Sequence, residues 1–418
     1  MIRVFLSTAA LFFLFMGLAS CASNQTGPQT SSAAQSSSPY VAADEDLLLS
    51  SPRGFDAMAT IIAADRDLAE NPLTITSFYC VRNPGDRHEY YSEGTYWWPD
   101  PKNPDGPYIR RDGYKNPENF SGDYDAMGQM SLQVATLTAA FIDTGDAKYA
   151  DKAVEHLEAW FVNPETRMDP NLQYAQAIQG INTGRGTGII ETQALVKVAQ
   201  CAKILEDNSV LTGDDARAVN QWFADYTHWL MSSPHGIDEM NAKNNHGTYW
   251  TLQVAAFATL TGDQKTLEFC RARFEKVLIK QMAADGSFPL ELARTKPYTY
   301  SLLNLNAMCL LCWILSGHEG DENLWDYSTP DGRSMKKALA FLYPYIANRS
   351  LWPRKPDVEQ WDQQPGCPPA LLFGGFAYDI PAYVKLWYQL SPHSNEDNQR
   401  LIGTPGTAEI WFAGSVKW

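Results

Sequence analysis

The sequence is poor in basic residues and contains no basic block. Its 418 residues include 33 Lys and Arg against 48 Asp and Glu, which gives a formal net charge of −15 and a pI of about 4.9. Because no Lys/Arg stripe interrupts this acidic balance, we expect no nucleic-acid partner. Apolar residues make up 44% and charged residues 19% of the chain, a composition that is typical of globular proteins.

Long apolar runs and cysteines are also scarce. Beyond the N-terminus no apolar run reaches the ~18 residues of a membrane-spanning helix, so we predict no such helix. Seven cysteines are too few for a disulfide scaffold. Cys309 and Cys312 lack a second pair and a His at ligand spacing, so we predict no zinc site. We expect the cysteines in apolar helical stretches to be small buried side chains.

The N-terminus indicates export. A short basic start precedes an apolar stretch over residues 4–19, and Leu18-Ala19-Ser20-Cys21 follows it. This pattern resembles a bacterial lipobox, which predicts a lipoprotein signal peptide over residues 1–20 and lipidation of Cys21. Residues 21–44 then form a flexible Ser/Gln-rich tether. The alternative is an ordinary secretory signal with a chance Cys. We expect a lipoprotein that faces the periplasm or is anchored in the outer membrane, and that contacts membrane through this anchor alone.

The body of the chain is a series of helical hairpins. Apolar residues recur with helical spacing from residue 126 onward. Thr-Gly-Asp turns at 144–146 and 261–263 each separate two such helices, and 212–214 is a partial copy. In each turn Gly suits the left-handed position that ends one helix, and Asp suits the cap of the next. Such hairpins bury their apolar faces only by stacking. We therefore predict an all-α fold, an (α/α) barrel or toroid in a single domain over residues 45–418, with a thin β signal such as 75–81.

Four segments break the helical pattern, and such inserts are usually functional. They are residues 88–112, 180–191, 243–247 and 285–301. The first combines aromatic side chains with His88 and an Arg pair, which suits a carbohydrate-binding wall. The second is rich in Gly but lacks the Walker Lys-Ser/Thr, so we do not expect a nucleotide site.

Each segment also has a structural interpretation. Asn244 and Asn245 suit helix caps, and Arg294 suits an ion pair with Glu291 on a helix. Trp97 and Trp98 suit core positions. Asp125 and Glu191 are candidate carboxylates for a glycosidase, whose separation a sequence does not give.

Four short motifs lie in these segments. They are Tyr96-Trp-Trp-Pro-Asp-Pro101, Gly184-Arg-Gly-Thr-Gly188, Asn244-Asn245-His246-Gly247, and Glu291-Leu-Ala-Arg294-Thr with Tyr300-Ser301. Together they resemble the alginate lyase family of (α/α)-barrel polysaccharide lyases, and they occur in the family's order over most of residues 80–310. Arg294 and Tyr300 lie one residue closer together than in the family's mannuronate-specific branch, so the chain is more similar to the branch that also contains glucuronan lyases.

The resemblance implies β-elimination on a uronic-acid polymer. It assigns the catalytic centre to Asn245, His246, Arg294 and Tyr300, and Tyr298 remains a rival for the tyrosine role. Elimination requires neutralisation of the substrate carboxylate, which suits Arg294 and Asn245, with His246 as hydrogen-bond donor or base. It also requires a base and an acid, and Tyr300 with its pKa lowered by Arg294 would supply both.

This chemistry requires no metal and no organic cofactor, and the expected partner is an anionic polysaccharide. The sequence does not predict an oligomeric state. Two other classes remain open, namely an (α/α)-barrel glycoside hydrolase and a non-catalytic sugar-binding lipoprotein. The candidate substrate-binding residues are His88, Tyr91, Trp97, Trp98, Arg110, Arg111, Arg185, Asn244 and Tyr298.

Overall fold

A computed structural model of the chain describes residues 55–316, 323–362, 366–391 and 395–413. The predicted signal peptide, the tether and Cys21 lie outside the described residues. All described residues fall within one compact unit that spans residues 44–418.

Helices dominate the described residues, as the apolar periodicity predicts. In chain order they are α1 (Ala57–Asp67), α2 (Gly122–Thr144), α3 (Ala147–Phe161), α4 (Leu195–Asp207), α5 (Gly213–Ser232), α6 (Pro234–Met240), α7 (Asn245–Thr261), α8 (Gln264–Lys276), α9 (Pro289–Leu292), α10 (Pro297–Ser316), α11 (Met335–Ala347), α12 (Pro369–Ala377), α13 (Pro381–Leu390) and α14 (Glu396–Ile402). Short 3₁₀ segments lie at Ile75–Ser77, Gly186–Ala194, Leu278–Gln281, Arg349–Leu351 and Pro405–Trp411.

Two of the predicted Gly-Asp turns have the expected geometry. Gly145 ends α2 and Gly262 ends α7, both in the left-handed region with φ of 69° and 71°. Asp146 then accepts a hydrogen bond from the backbone N–H of Lys148 and caps α3. Asp263 caps α8 in the same way. These turns fold each helix pair into an antiparallel hairpin, and α2 packs on α3 as α7 packs on α8.

The third turn differs from the prediction. Helix α4 ends at Asp207, so Gly213 does not follow a helix C-terminus. Gly213 instead is the first residue of α5, with φ of 64°, and Thr212 occupies the N-cap position. Asp214 lies in the first turn of α5, where a carboxylate interacts favourably with the helix dipole without capping it.

The small amount of β-structure is not where the sequence indicated. Residues 75–77 form a 3₁₀ turn and not a strand, so the β prediction for 75–81 is wrong. The apolar run is too short to pair and turns around Thr74, whose side chain completes a capping box with Ser77. The observed strands are β1 (Tyr91–Glu93), β2 (Trp97–Trp98), β3 (Ile109–Arg110) and β4 (Tyr174–Ala177).

These strands form two small sheets in the inserted segments. Strand β1 pairs with β4 in parallel, and β2 pairs with β3 as an antiparallel hairpin, with Trp97 opposite Arg110. The start of the loop of residues 94–112 is also tied to the end of β4, because the Gly94 N–H donates to the carbonyl of Ala177. The inserts form a layer of defined structure beside the helices.

Helix α10 is an interior helix. By length and a mean hydropathy of 1.4 it is apolar enough to cross a membrane, but 72% of the apolar stretch is buried. It packs against α7 and α12 in the core, where an all-round apolar surface is expected. The six described cysteines are all buried, as expected for Cys201, Cys270, Cys309 and Cys312.

Candidate active site

The inserted segments and the starts of three helices surround one large cleft of about 960 Å³. Segment 92–97, β3 and β4 form one side. Further lining residues come from the loop of residues 112–121, the start of α2, the 3₁₀ segment Gly186–Ala194, residues 293–295 and the first turns of α7 and α10. Of the sequence-predicted residues, the cleft brings together Trp97, Arg110, Arg185, Asn244, Asn245, His246, Arg294 and Tyr300.

Asn245 and His246 begin α7 and are each held by a buried carboxylate. The backbone N–H and the side-chain amide of Asn245 donate to the two oxygens of Glu291 at 2.6 and 2.8 Å. Nδ1 of His246 lies 2.6 Å from Oε1 of Glu239. Asn244 occupies the N-cap position, but its side chain makes no capping bond. Its side chain lines the cleft, so the cap interpretation of this residue is wrong.

Arg294 is fixed by an aspartate and a tyrosine. Its Nη2 and Nε donate to the two oxygens of Asp112 at 2.9 and 3.2 Å. Its guanidinium carbon lies 4.0 Å from the ring centroid of Tyr300. Although burial opposes it, the hydrogen bonds and charge of Arg294 lower the pKa of Asp112 to about 2. Asp112 is therefore ionised, and it joins the loop of residues 94–112 to the segment that carries Arg294.

Tyr300 is 7% exposed and its hydroxyl group donates to Tyr96 Oη at 2.9 Å. The sequence predicted that Arg294 lowers the pKa of this phenol. Burial instead raises the pKa of Tyr300 well above its usual value, and the lowering by Arg294 does not compensate. Arg294 thus acts in the predicted direction, but the net pKa of Tyr300 is raised, because the ionised form loses more solvation than the cation restores.

Tyr298 lies outside the cleft. It is 4% exposed and packs edge-on against Trp352 and Trp361, with ring centroids 5.4 and 5.8 Å away. Burial raises the pKa of Tyr298 to about 12. Of the two rival tyrosines, Tyr300 is the one whose side chain lines the cleft.

The loop of residues 88–111 contributes to the cleft wall with only part of its predicted residues. Arg110 lines the cleft and donates to Asp112 at 2.6 Å. Trp98 and Arg111 are not among the residues that line the cleft. Instead, the guanidinium of Arg111 stacks on the Trp98 ring at 4.5 Å. Trp98 also donates through Nε1 to the carbonyl of Tyr114. Trp98 and Arg111 therefore make their contacts with each other and with the neighbouring chain, and not with the cleft.

His88 and Tyr91 also lie away from the cleft lining. Nδ1 of His88 lies 2.7 Å from the carbonyl oxygen of Arg167. Tyr91 is buried and its hydroxyl group donates to Glu93 at 3.1 Å. The His88 contact holds the start of the loop against residue 167, whereas the Tyr91 contact is local to β1.

Arg185 belongs to a hydrogen-bonded chain at the back of the cleft. Its Nη2 donates to Gln176 Oε1 at 2.5 Å, and its guanidinium lies 5.9 Å from the Trp97 ring. Gln176 has φ of 50°, which is uncommon for a residue other than Gly. The Gln176 N–H donates to Ser92 Oγ, which in turn donates to Glu191 at 2.6 Å. Strained backbone of this kind is concentrated at functional sites.

The two carboxylates considered for a glycosidase line the cleft and are engaged in local contacts. Glu191 accepts hydrogen bonds from Tyr90 and Ser92, and burial raises its pKa. Asp125 accepts from Ser121 Oγ at 2.8 Å and lies 3.5 Å from Arg400 Nη2. Each carboxylate is thus part of a local network that shapes the cleft wall.

The family model of alginate lyase matches residues 74–352. The chain belongs to the alginate lyase family. The crystal structure of an alginate lyase from Bacteroides ovatus is 34% identical, with a TM-score of 0.73, and the match covers 85% of this chain and 93% of that one. Alginate lyase A1-III from Sphingomonas species A1, complexed with a tetrasaccharide, is 15% identical with a TM-score of 0.51, and the match covers 82% and 92%. This second likeness concerns the fold alone. No curated protein sequence gives a match.

The alginate lyase family membership confirms two predictions. The repeated hairpins form the all-α toroid of these lyases, and the chain is an enzyme, a polysaccharide lyase. The glycoside hydrolase and the non-catalytic sugar-binding protein are left without support.

Sequence reasoning missed the residues that hold the cleft side chains. Tyr96 was inside a motif, but nothing in the motif marked its contact with Tyr300. Asp112 and Glu239 belong to no motif, and Gln176 precedes the Gly-rich segment. The available signals were weak: a carboxylate next to an Arg pair for Asp112, and an acidic residue close before the Asn-His pair for Glu239.

Proposed function

We propose that this polysaccharide lyase cleaves alginate, a uronic-acid polymer, by β-elimination at the cleft that contains Asn245, His246, Arg294 and Tyr300. The observation that carries the proposal is the convergence of these four side chains on one cleft, from the start of α7, the connection between α9 and α10, and the first turn of α10. The name of the 34% identical Bacteroides ovatus enzyme supports alginate as the substrate.

Carboxylate neutralisation is the first requirement of this reaction. The proton on C5 of a uronate is very weakly acidic while the adjacent carboxylate carries its full charge. Donors that are already in place stabilise the negative charge that develops in the transition state. Asn245 and Arg294 suit this role because Glu291 and Asp112 fix them before substrate binds.

Proton transfer is the second requirement, and we assign it to Tyr300. On mannuronate or glucuronate the C5 proton and the leaving O4 lie on the same face of the sugar, so Tyr300 in its ionised form can take the C5 proton and, as the phenol, pass it to O4 as the C4–O4 bond breaks. The hydrogen bond between Tyr300 and Tyr96 orients the phenol. The cation–π contact with Arg294 keeps the ring beside the group that binds the carboxylate.

Binding of the rest of the polymer falls to the cations of the cleft. Arg110 and Lys115 are exposed side chains that line it, and Arg185 lies deeper beside Trp97. Lys243 is exposed but does not line the cleft, and Lys296 is buried and paired with Glu359 at 3.2 Å. Trp97 supplies an aromatic face for a sugar ring.

A substrate panel tests the proposal. The enzyme is incubated with polymannuronate, polyguluronate and glucuronan, and the ultraviolet absorbance of the C4–C5 double bond is followed. Elimination makes this double bond, whereas hydrolysis does not. Glucuronan is included because the shorter spacing between Arg294 and Tyr300 resembles the branch with glucuronan lyases. Absence of an unsaturated product from every polymer would contradict the proposal.

A further inference from the structure

A buried glutamate contacts the ring of His246 from the side away from the cleft. Glu239 lies in α6, is 1% exposed, and its Oε1 is 2.6 Å from Nδ1 of His246. The His246 side chain is 20% exposed and lines the cleft. Nε2 has no hydrogen-bond partner among the described residues. One ring nitrogen is therefore engaged in the interior and the other is available to a ligand.

The shared proton belongs on the nitrogen. An ionised carboxylate only accepts hydrogen bonds, and imidazole is in general the stronger base of the two groups. The second oxygen of Glu239 is buried and has no partner in the described part of the chain. A buried charge with so few other contacts depends on the ring for compensation, which favours Nδ1–H facing the carboxylate.

The neighbouring residue is held in a similar way from another helix. Glu291, which lies in α9 and is also 1% exposed, binds both donors of Asn245. The first turn of α7 is thus fixed by two carboxylates that come from different elements. Side chains that are held in this manner need little reorganisation when charge develops beside them.

We propose that Glu239 is a positioning residue for His246. Its carboxylate fixes Nδ1 as the protonated nitrogen, so that Nε2 faces the substrate carboxylate. This inference rests on the proposed function for the identity of that carboxylate. With Nδ1–H facing Glu239, Nε2 donates to the uronate only when the ring carries a proton on both nitrogens. In that form His246 holds the substrate carboxylate and leaves removal of the C5 proton to Tyr300.

Nitrogen NMR tests the positioning without any substrate. The full chain is labelled with ¹⁵N-histidine, and the ring signals of His246 are assigned by their loss in His246→Gln. We expect Nδ1 to have the chemical shift of a protonated nitrogen in the wild-type enzyme. An unprotonated Nδ1 with a protonated Nε2 would overturn the proposal. Because this spectrum needs no turnover, it remains decisive even if none of the polymers is a substrate.

Steady-state kinetics test the consequence for the reaction. Glu239→Gln keeps an acceptor oxygen, and Glu239→Leu removes it at similar volume. Mutation of a carboxylate that orients a functional His typically lowers activity by about 10- to 100-fold. We expect kcat to fall about 10-fold in Glu239→Gln and about 100-fold in Glu239→Leu, with a smaller change in KM, and the Nδ1 signal of the Leu variant to lose its fixed protonation.

Glu409→Gln is the matched control for the loss of a buried carboxylate. Glu409 is 2% exposed and does not line the cleft, so this variant should keep its kcat whatever its thermal stability. Full activity of a folded Glu239→Leu, with Tyr300→Phe inactive, would overturn the positioning role and leave the proposed function intact. If Glu239→Leu does not fold, the wild-type spectrum and Glu239→Gln still decide.

Discussion

At the scale of single residues, removal of the Tyr300 hydroxyl group is the most direct test of the proposed proton transfer. Tyr300→Phe removes the transferable proton and keeps the ring that packs on Arg294 at 4.0 Å. Loss of one acid–base group typically costs about 10²–10⁴-fold in rate. Because Tyr300 serves both steps in the proposed mechanism, we expect kcat to fall by about 10⁴-fold, with the thermal unfolding midpoint nearly unchanged.

Tyr298→Phe is the matched control for this variant. The two residues are near neighbours on α10, but Tyr298 packs against Trp352 and Trp361 outside the cleft. We therefore expect Tyr298→Phe to keep most of the activity. An active Tyr300→Phe beside an inactive Tyr298→Phe would show that the tyrosine roles are exchanged. If both variants stay active, neither phenol takes the proton and His246 becomes the base.

The rate should also depend on pH in a specific direction. Burial raises the pKa of Tyr300 above its usual value, so the phenol is protonated at neutral pH and its ionised form increases only as pH rises. Since the base is the ionised form, we expect kcat/KM to rise from about pH 7 to about pH 10. A rate that is already level above about pH 8 would indicate a base that titrates near neutrality.

The residue scale also shows where sequence reasoning stops. Motifs predicted which side chains meet in the cleft, because the order Asn-His, Arg, Tyr is readable along the chain. They did not predict the partners, because Asp112 and Arg294 are 182 positions apart and Tyr96 and Tyr300 are 204 apart. Nor did they predict the raised pKa of Tyr300, which depends on how much of the ring the fold buries.

At the scale of elements, the β2–β3 hairpin separates two adjacent arginines. Arg110 lines the cleft beside Asp112, whereas Arg111 stacks on Trp98 outside it. Binding contacts that are equal in ground and transition state affect KM and leave kcat unchanged. We expect Arg110→Ala to raise KM several-fold, since an exposed charge contributes on the order of 1 kcal/mol.

Arg111→Ala provides the comparison on the same hairpin. It should leave KM on the polymer unchanged, and the loss of its stacking on Trp98 should appear as a small decrease in thermal stability. A raised KM in Arg111→Ala together with a normal KM in Arg110→Ala would mean that the hairpin faces the substrate with its other side.

Element prediction succeeded where local chemistry decides the structure. Gly145 and Gly262 end their helices as predicted, because the chain needs a residue in the left-handed conformation there. The Asp that follows each Gly caps the next helix. Residues 208–212 separate the end of α4 from Gly213. The same Thr-Gly-Asp sequence therefore begins α5 and does not end α4. The run 75–77 also failed, because strand formation requires a partner that the sequence does not reveal.

At the scale of the whole molecule, an acidic enzyme is proposed to bind an acidic polymer. The net charge of −15 opposes this encounter, but screening limits distant charge to about 8–10 Å in physiological salt. Within the cleft, Arg110, Lys115, Arg185 and Arg294 lie beside the carboxylates of Glu93, Asp112, Asp125 and Glu191. We propose that the local arrangement of these charges, and not the net charge, determines whether the polymer is held.

The predicted export signal lies outside the described residues. We propose that Cys21 carries a lipid, because it ends Leu18-Ala19-Ser20-Cys21 after an apolar stretch and before a polar tether. Such a tether would let the domain reach a polymer at a distance from the membrane. Cys21→Ser removes the only lipidation site that this pattern provides. We expect the variant to leave the membrane fraction and the catalytic activity per molecule to stay the same, which fractionation of cells followed by the lyase assay will measure. Retention of the variant in the membrane fraction would contradict the anchor and favour an ordinary secretory signal with a chance cysteine.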